Sequence, residues 1–568
     1  MKVGIKSIFG VLVAVAMVSI APAAKAASGA DVKAASGRPD QGPDVLFLAA
    51  GSSAMWQPFA IATVNDPTLA GANSHHYTIK GKCSGGVNCA QAFDNRTGPG
   101  GTVSDHQGGN LWVVWNDAVT QVWVYLSVDS VVGNRLFFAN PRATLQVSTD
   151  TLNAGSAQNL ISPKLFKYGE ATTDPGCNGL STCDDTQLPM AVYTAITTSP
   201  GDILTTAMTD IRPEDALFAT NRVLCTPNNG LNCLGYGPGP VGTPIQSDFS
   251  SSVATPVVYA ISGTDPVTGD PIPAFNTYPV GASPVTLLVN RLAGGITATN
   301  VTHAQLQLLF SGTRCNELGV TTTALLREPM SGTMNTFEFT NITDPTFSDG
   351  FSQELGVTTN PLNQSCTVGG TRLRGIGTSD IVTGMIDLTT GGGGFSQANA
   401  VGYLFFSYGN VSKLTGASYS YLTLDSVDPL FGNPGYVAGM LPSCTLPCPA
   451  APNTTYKNLR NGAYRSWSML RAVTDAQGAN NTNTANLVSS AQNNINLEVP
   501  DFVPYIATGG DAGMQFYRSH FTQSGVSPNN GLPFSEPSAE AGGDVGGCII
   551  SKSLNITEEH ENTGVCSR

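Results

Sequence analysis

Charge is scarce in this chain. Only 12% of its 568 residues are Asp, Glu, Lys or Arg, and acids outnumber bases 40 to 27, for a formal charge of −13. That balance argues against nucleic acid and anionic membrane as partners. It leaves a small anion open, because one arginine and a few local dipoles act at contact distance while the wider field is screened beyond about 10 Å. Histidine is scarce too, with six in all; the adjacent His75 and His76 read as part of a polar loop, and none stands at zinc-finger spacing from cysteine. A Gly-x-Ser-x-Gly elbow, a Walker A loop and an HExxH helix are missing, which removes the common hydrolase, NTPase and metalloprotease signatures. Long apolar runs are missing as well after residue 26, where no segment has the roughly 18 or more uninterrupted apolar residues a membrane span needs.

What is present begins with a leader. Lys2 and Lys6 precede the run IFGVLVAVAMVSIA, and Ala24-Lys25-Ala26 follows, the layout of a secretory signal peptide cleaved after Ala26. The expectation is a periplasmic or extracellular protein. Twelve cysteines agree with export. Most fall in close couples, Cys83 with Cys89, Cys177 with Cys183, Cys225 with Cys233, Cys444 with Cys448 and Cys548 with Cys566, leaving Cys315 and Cys366 as a longer one. None is Cys-x-x-Cys, so disulfides stapling surface insertions are expected, with no metal and no cofactor.

With 63 glycines and 36 prolines the chain is rich in loops. Between them one order recurs: an apolar strand, a turn of small residues, then a helix start. It occurs at Val45 to Ala50 with Gly51-Ser52-Ser53, at Val122 to Leu126 with Ser130 and Gly133, and before Asp210 with Pro213-Glu214-Asp215 opening a helix. The stretch LLREPMSGTMNTFEF, Leu325 to Phe339, is another instance. Such repetition implies an α/β protein with largely parallel sheets and a ligand at the carboxyl ends of the strands.

That last stretch has two readings. Ser331 or Thr333 can cap a helix whose apolar positions include Met334 and Phe337. Alternatively, the free amides of the helix start, two hydroxyls and the Arg327 guanidinium form an anion site. The spacing alone does not choose.

In order along the chain, LAAGSSAMWQPF, TAMTDIRPEDA, YPVGASPVTLLVNR, THAQLQLLFSGTRCNELG, REPMSGTMNTFEF, NAVGYLFFSYGNVSKL and YRSWSMLRAV resemble segments of the phosphate-binding proteins that serve ABC importers, in the type II periplasmic binding-protein superfamily. The resemblance implies a two-lobed, hinged α/β fold, here enlarged by disulfide-bearing insertions. Lobe I would take residues 27–284 and 461–500, lobe II residues 285–460, and 501–568 would form a C-terminal extension. It also implies a phosphate site with Arg327 as the charged donor, and Ser331, Gly332 and Thr333 supplying amides and hydroxyls. Ser53 and Ala54 would contribute from the first lobe, Ala54 through its N–H alone. Ser130 is either a ligand or a helix-capping residue. Asp210 would accept the proton of hydrogen phosphate and so reject sulfate; its other reading is an N-cap for the helix at Arg212.

The chain departs from the family at Ala54, where an aromatic is usual, in the insertions between Ser53 and Asp210, and in the polar tail after residue 474. The function this implies is capture of an oxyanion for uptake by an ABC importer, without catalysis. A surface protein using the fold as scaffold and a phosphate-handling enzyme are the rival classes.

Overall fold

The computed structural model describes residues 42–70, 74–148, 188–223, 260–342, 351–353, 363–386, 399–431, 456–494, 502–505, 516–518 and 549–551, short interruptions aside. Residues 1–41, with the expected signal peptide, the cysteine-bearing segment 149–187, the tract Gly391 to Gly394 and most of residues 501–568 lie outside the described residues.

Strand β1 (Asp44–Gly51) is the centre of the first lobe. Successive side chains of a strand point to opposite faces, and β1 feeds two cores in this way: Leu48 and Ala50 one, Phe47 and Ala49 the other. Helix α1 (Ser53–Asn65) covers the second face with Met55, Phe59 and Ile61. β1 pairs in parallel with β2 (Gln121–Ser127) and with β3 (Thr206–Thr209). After β2, helix α2 (Ser130–Phe138) lays Val131 and Leu136 on the first face. After β3 comes α3 (Pro213–Val223).

The insertion between Ser53 and Ser130 extends this lobe. Strands His75–Ile79 and Asn110–Trp115 continue the sheet antiparallel beyond β2, and Ala90–Asp94 forms a small separate sheet with Asp105–Gly108 and Thr144–Val147. Arg96 ties that sheet down, bonded to Asp94 and, at 2.7 Å, to Asp265, with all three side chains buried.

The long strand β4 (Phe275–Asn290) leads out of the first lobe. In the second lobe β5 (Thr322–Arg327) is central; helix α4 (Gly332–Phe337) follows it and passes into a π-turn, Glu338–Ile342. β5 pairs in parallel with β6 (Gly370–Gly375) and β7 (Ala400–Phe405), and α5 (Thr378–Ile386) lies between them in sequence. β8 (Trp467–Asp475) returns to the first lobe, and α6 (Ala479–Asn494) packs against it.

Both lobes share one continuous sheet through β4 and β8. β4 pairs with β8 from Phe275 to Pro284, then with β7 from Val285 to Val289, while β8 also pairs with β3. All three pairings are antiparallel, so the sheet is mixed and not largely parallel as the repeated strand–helix units suggest. The reason is geometric: the strand leaving a lobe and the strand returning to it lie side by side and run in opposite directions. Helices cover both faces of each half, which makes the architecture two-lobed α/β.

The polar stretch NNTNTANLVSSAQNN forms most of α6, against its weak helix propensity. Side-chain amides support it: Asn481 Oδ1 accepts from the Tyr278 hydroxyl at 2.8 Å, and Asn483 Nδ2 donates to the Leu46 carbonyl at 3.0 Å. Leu487, Val488 and Ala491 supply its buried face. Cys315 and Cys366 form a disulfide closing a separation of 51 residues. Cys89 is also disulfide-bonded; its expected partner Cys83, and the cysteines of the other close couples, lie outside the described residues. Among the described residues no helix is long and apolar enough to cross a membrane.

Candidate anion cleft between the lobes

The carboxyl ends of β1, β3 and β5 converge where the lobes meet. β1 ends at Gly51, whose φ of +143° and close approach to β3 both require glycine: a Cβ there would stand 1.9 Å from the Met208 carbonyl oxygen. The turn delivers Ser52 as N-cap of α1. Its Oγ accepts from the Ala54 amide at 3.2 Å and donates to Asp210 Oδ1. From beneath, the Tyr125 hydroxyl holds the Ser52 carbonyl at 2.5 Å.

Asp210 follows β3 and is 2% exposed. Its backbone N–H donates to Ser130 Oγ at 3.3 Å, and its carbonyl accepts from the Ser468 hydroxyl. Burial pushes its carboxyl up to about 6, against the hydroxyls of Ser52 and Ser130 and the charge of Arg327, which pull it down; Asp129 adds a smaller upward push. An acid placed there is half-protonated at about pH 6.

From the second lobe, Arg327 ends β5 with 1% exposure. Its backbone N–H donates to the Tyr403 hydroxyl at 3.1 Å, and that hydroxyl donates to Gln353 Oε1 at 2.5 Å. The guanidinium reaches two elements: Nη1 donates to Thr378 Oγ1 at the start of α5, and Nη2 to Asp129 Oδ1 in the first lobe, each at 2.8 Å. Ser331 caps α4 by accepting from the Met334 amide at 3.4 Å, with Met334 and Phe337 fully buried behind it. The cap uses a lone pair of Ser331 and leaves its O–H hydrogen for another acceptor. The capped-turn reading of this stretch therefore holds, and it is compatible with anion binding.

Gly332, the first residue of α4, faces the first lobe directly. A Cβ on it would lie 2.5 Å from Ser130 Oγ and 2.6 Å from Asp210 Oδ2. Of the sequence candidates, Ser130, Asp210, Arg327 and Gly332 thus meet in one place, with Ser331 and Thr333 on either side of Gly332. Ser53 stands at the exposed rim, its hydroxyl 3.4 Å from that of Thr378. Ala54 commits its N–H to Ser52.

Ser52, Asp129 and Thr378 were not singled out by sequence as cleft residues. Ser52 carried a usable signal, since the first polar residue after a strand is the natural N-cap of the helix that follows. Asp129, just before Ser130, has the local pattern of an N-cap. Thr378 carried none, being an ordinary helix-start threonine far along the chain from Arg327.

No family model matches the chain, and no curated protein does. Among solved structures it is similar to an ABC-type phosphate transport receptor from Vibrio cholerae, at 16% identity over 38% of this chain and 66% of that one, with a TM-score of 0.23. It is also similar to PstS from Borrelia burgdorferi, at 11% identity over 39% and 66% of the two chains with a TM-score of 0.22. For an ancestral soluble variant of the human phosphate binding protein the values are 13%, 74% and 92%, with a TM-score of 0.29. The chain spans just under two thirds of the first two structures. At such TM-scores the likeness carries no inference about the ligand, which has to come from the cleft itself.

Proposed function

We propose that the protein is a secreted solute receptor that holds an oxyanion, inorganic phosphate, between its lobes and hands it to an ABC importer. One observation carries the reading. Gly332, beside Arg327 and two hydroxyl-bearing neighbours, abuts Asp210 and Ser130 of the opposite lobe, so donors for an anion and an acceptor for a proton share one buried place. The donors suit any oxyanion. Asp210 supplies the discrimination: a carboxylate repels a fully deprotonated anion but accepts a hydrogen bond from a protonated one. Phosphate carries a proton near neutral pH and sulfate does not. Residues 27–284 and 461–500 would move as one lobe and 285–460 as the other.

Titration calorimetry with phosphate and with sulfate tests this. Stoichiometric phosphate binding without turnover, and sulfate at least a hundredfold weaker, is the expected result. Turnover would assign the chain to the enzymes. A second reading, the fold as a closed scaffold without a ligand, is favoured by the Arg327–Asp129 ion pair already spanning the lobes; binding of neither anion would select it.

A further inference from the structure

Asp129 sits at the N-cap position of α2 and makes no side-chain cap bond there. Asp is among the best N-cap residues, so a partner elsewhere has outcompeted the helix amides. That partner is Arg327, on the other lobe, 2.8 Å away. The arginine side chain is 2% exposed and the aspartate 16%. The guanidinium is therefore held in the interior, while the carboxylate stands at the rim, partly exposed. The adjacent lobe-to-lobe contact, Ser53 Oγ to Thr378 Oγ1 at 3.4 Å, is longer and uncharged, and Thr378 takes the other terminal nitrogen of Arg327.

We propose that Asp129 is a specificity-determining residue of the cleft: a resident carboxylate that holds Arg327 across the lobes and is exchanged for the incoming anion. The proposal rests on the oxyanion reading. Capture then swaps one anion for another on the same guanidinium, and only a ligand that pairs with Arg327 better than a carboxylate does can enter. Phosphate, with several oxygens for one fork, meets that condition; a singly charged halide does not. The displaced Asp129 has an alternative site one step away, because its side chain can turn back to the open amides at the start of α2 and cap the helix. Two positions of one side chain thus link the filling of the cleft to the state of α2.

Calorimetry with inorganic phosphate and small-angle scattering on the parent and Asp129→Asn test the exchange. Asparagine keeps the shape and the capping ability and loses the charge. Asp129→Asn is expected to bind phosphate about tenfold or more tightly and, without phosphate, to have a larger radius of gyration than the parent. Equal or weaker phosphate binding in Asp129→Asn would overturn the proposal, since Asp129 would then hold Arg327 ready for the ligand and not against it. If neither protein binds phosphate, the oxyanion reading fails by itself, and ligand-free scattering decides the latch: an expanded variant upholds it, superimposable curves overturn it. Should Asp129→Asn fail to fold, Asp129→Ser, which also caps and carries no charge, takes its place.

Discussion

The Ser52 hydroxyl donates to the Asp210 carboxylate while its oxygen caps α1 through the Ala54 amide. One side chain thereby ties the acid of the cleft to the first helix. Asp210 is pushed from 3.8 up to about 6, chiefly by burial. The sign follows from linkage: the folded state prefers the protonated acid, so the contribution of Asp210 to stability is full below about pH 4 and is lost as pH rises through 6. That displacement corresponds to about 3 kcal/mol. Urea unfolding between pH 4 and 8 should show the parent losing that amount relative to Asp210→Asn. Parallel pH profiles for the two proteins would mean that Asp210 titrates normally.

The same substitution changes ligand choice. Asn presents an NH₂ donor where the carboxylate repels, so a fully deprotonated anion becomes tolerable. Sulfate should displace labelled phosphate from Asp210→Asn and hardly at all from the parent. Equal displacement from both would remove Asp210 as the source of discrimination.

Arg327→Ala removes the guanidinium that all ligand readings of the cleft depend on. Truncating one partner of a buried charge-assisted contact typically costs several kcal/mol, so phosphate binding should weaken roughly a hundredfold or more. Arg327 also bridges the lobes, and the ligand-free variant should scatter as a more open particle. Normal phosphate binding by Arg327→Ala would leave the stretch as a capped turn and nothing else.

The strand–turn–helix units were legible in sequence because their signals are local. Apolar runs such as Val45 to Ala50 and small residues after them are read within one window, and Cys315 and Cys366 were the couple left once the closer cysteines had been paired. The mixed sheet was not legible, since the directions of β4 and β8 relative to β3 and β7 depend on a crossing between lobes far apart in sequence. Asp129 escaped for a related reason. Its local pattern is that of a helix cap, and only the approach of Arg327 from the other lobe diverts it. In α6 the stretch with Asn481 and Asn483 read only as a polar tail with no counterpart in the family, because the donor and the acceptor that hold these amides, Tyr278 and Leu46, lie elsewhere in the chain.

Reduction of Cys315–Cys366 tests how far the second lobe depends on its staple. Closing a 51-residue separation restricts the unfolded chain by about 4 kcal/mol on the loop-entropy scale. Cys315→Ala with Cys366→Ala should lower stability by that order in denaturant unfolding. Phosphate affinity should change little, because Cys315 is buried in the core of the second lobe with Leu309 and Leu318, and its sulfur lies by the Leu309 carbonyl. Loss of binding at full folding would mean that the staple positions the site.

Gly332→Ala separates closure from folding. The backbone at Gly332 is helical, and Ala favours a helix over Gly by about 1 kcal/mol, so the second lobe should be as stable as the parent's or slightly more so. The new methyl, however, would stand 2.5 Å from Ser130 Oγ and 2.6 Å from Asp210 Oδ2, well inside ordinary contact distance. The walls of the cleft must then separate, and Arg327 moves away from Asp129 with them. Thermal unfolding should be unchanged or raised, phosphate binding weakened at least tenfold, and the scattering radius increased. A variant that binds phosphate as the parent does and stays as compact would show that the first lobe yields at Ser130 and Asp210, and that the tight approach of Gly332 is not what closes the cleft.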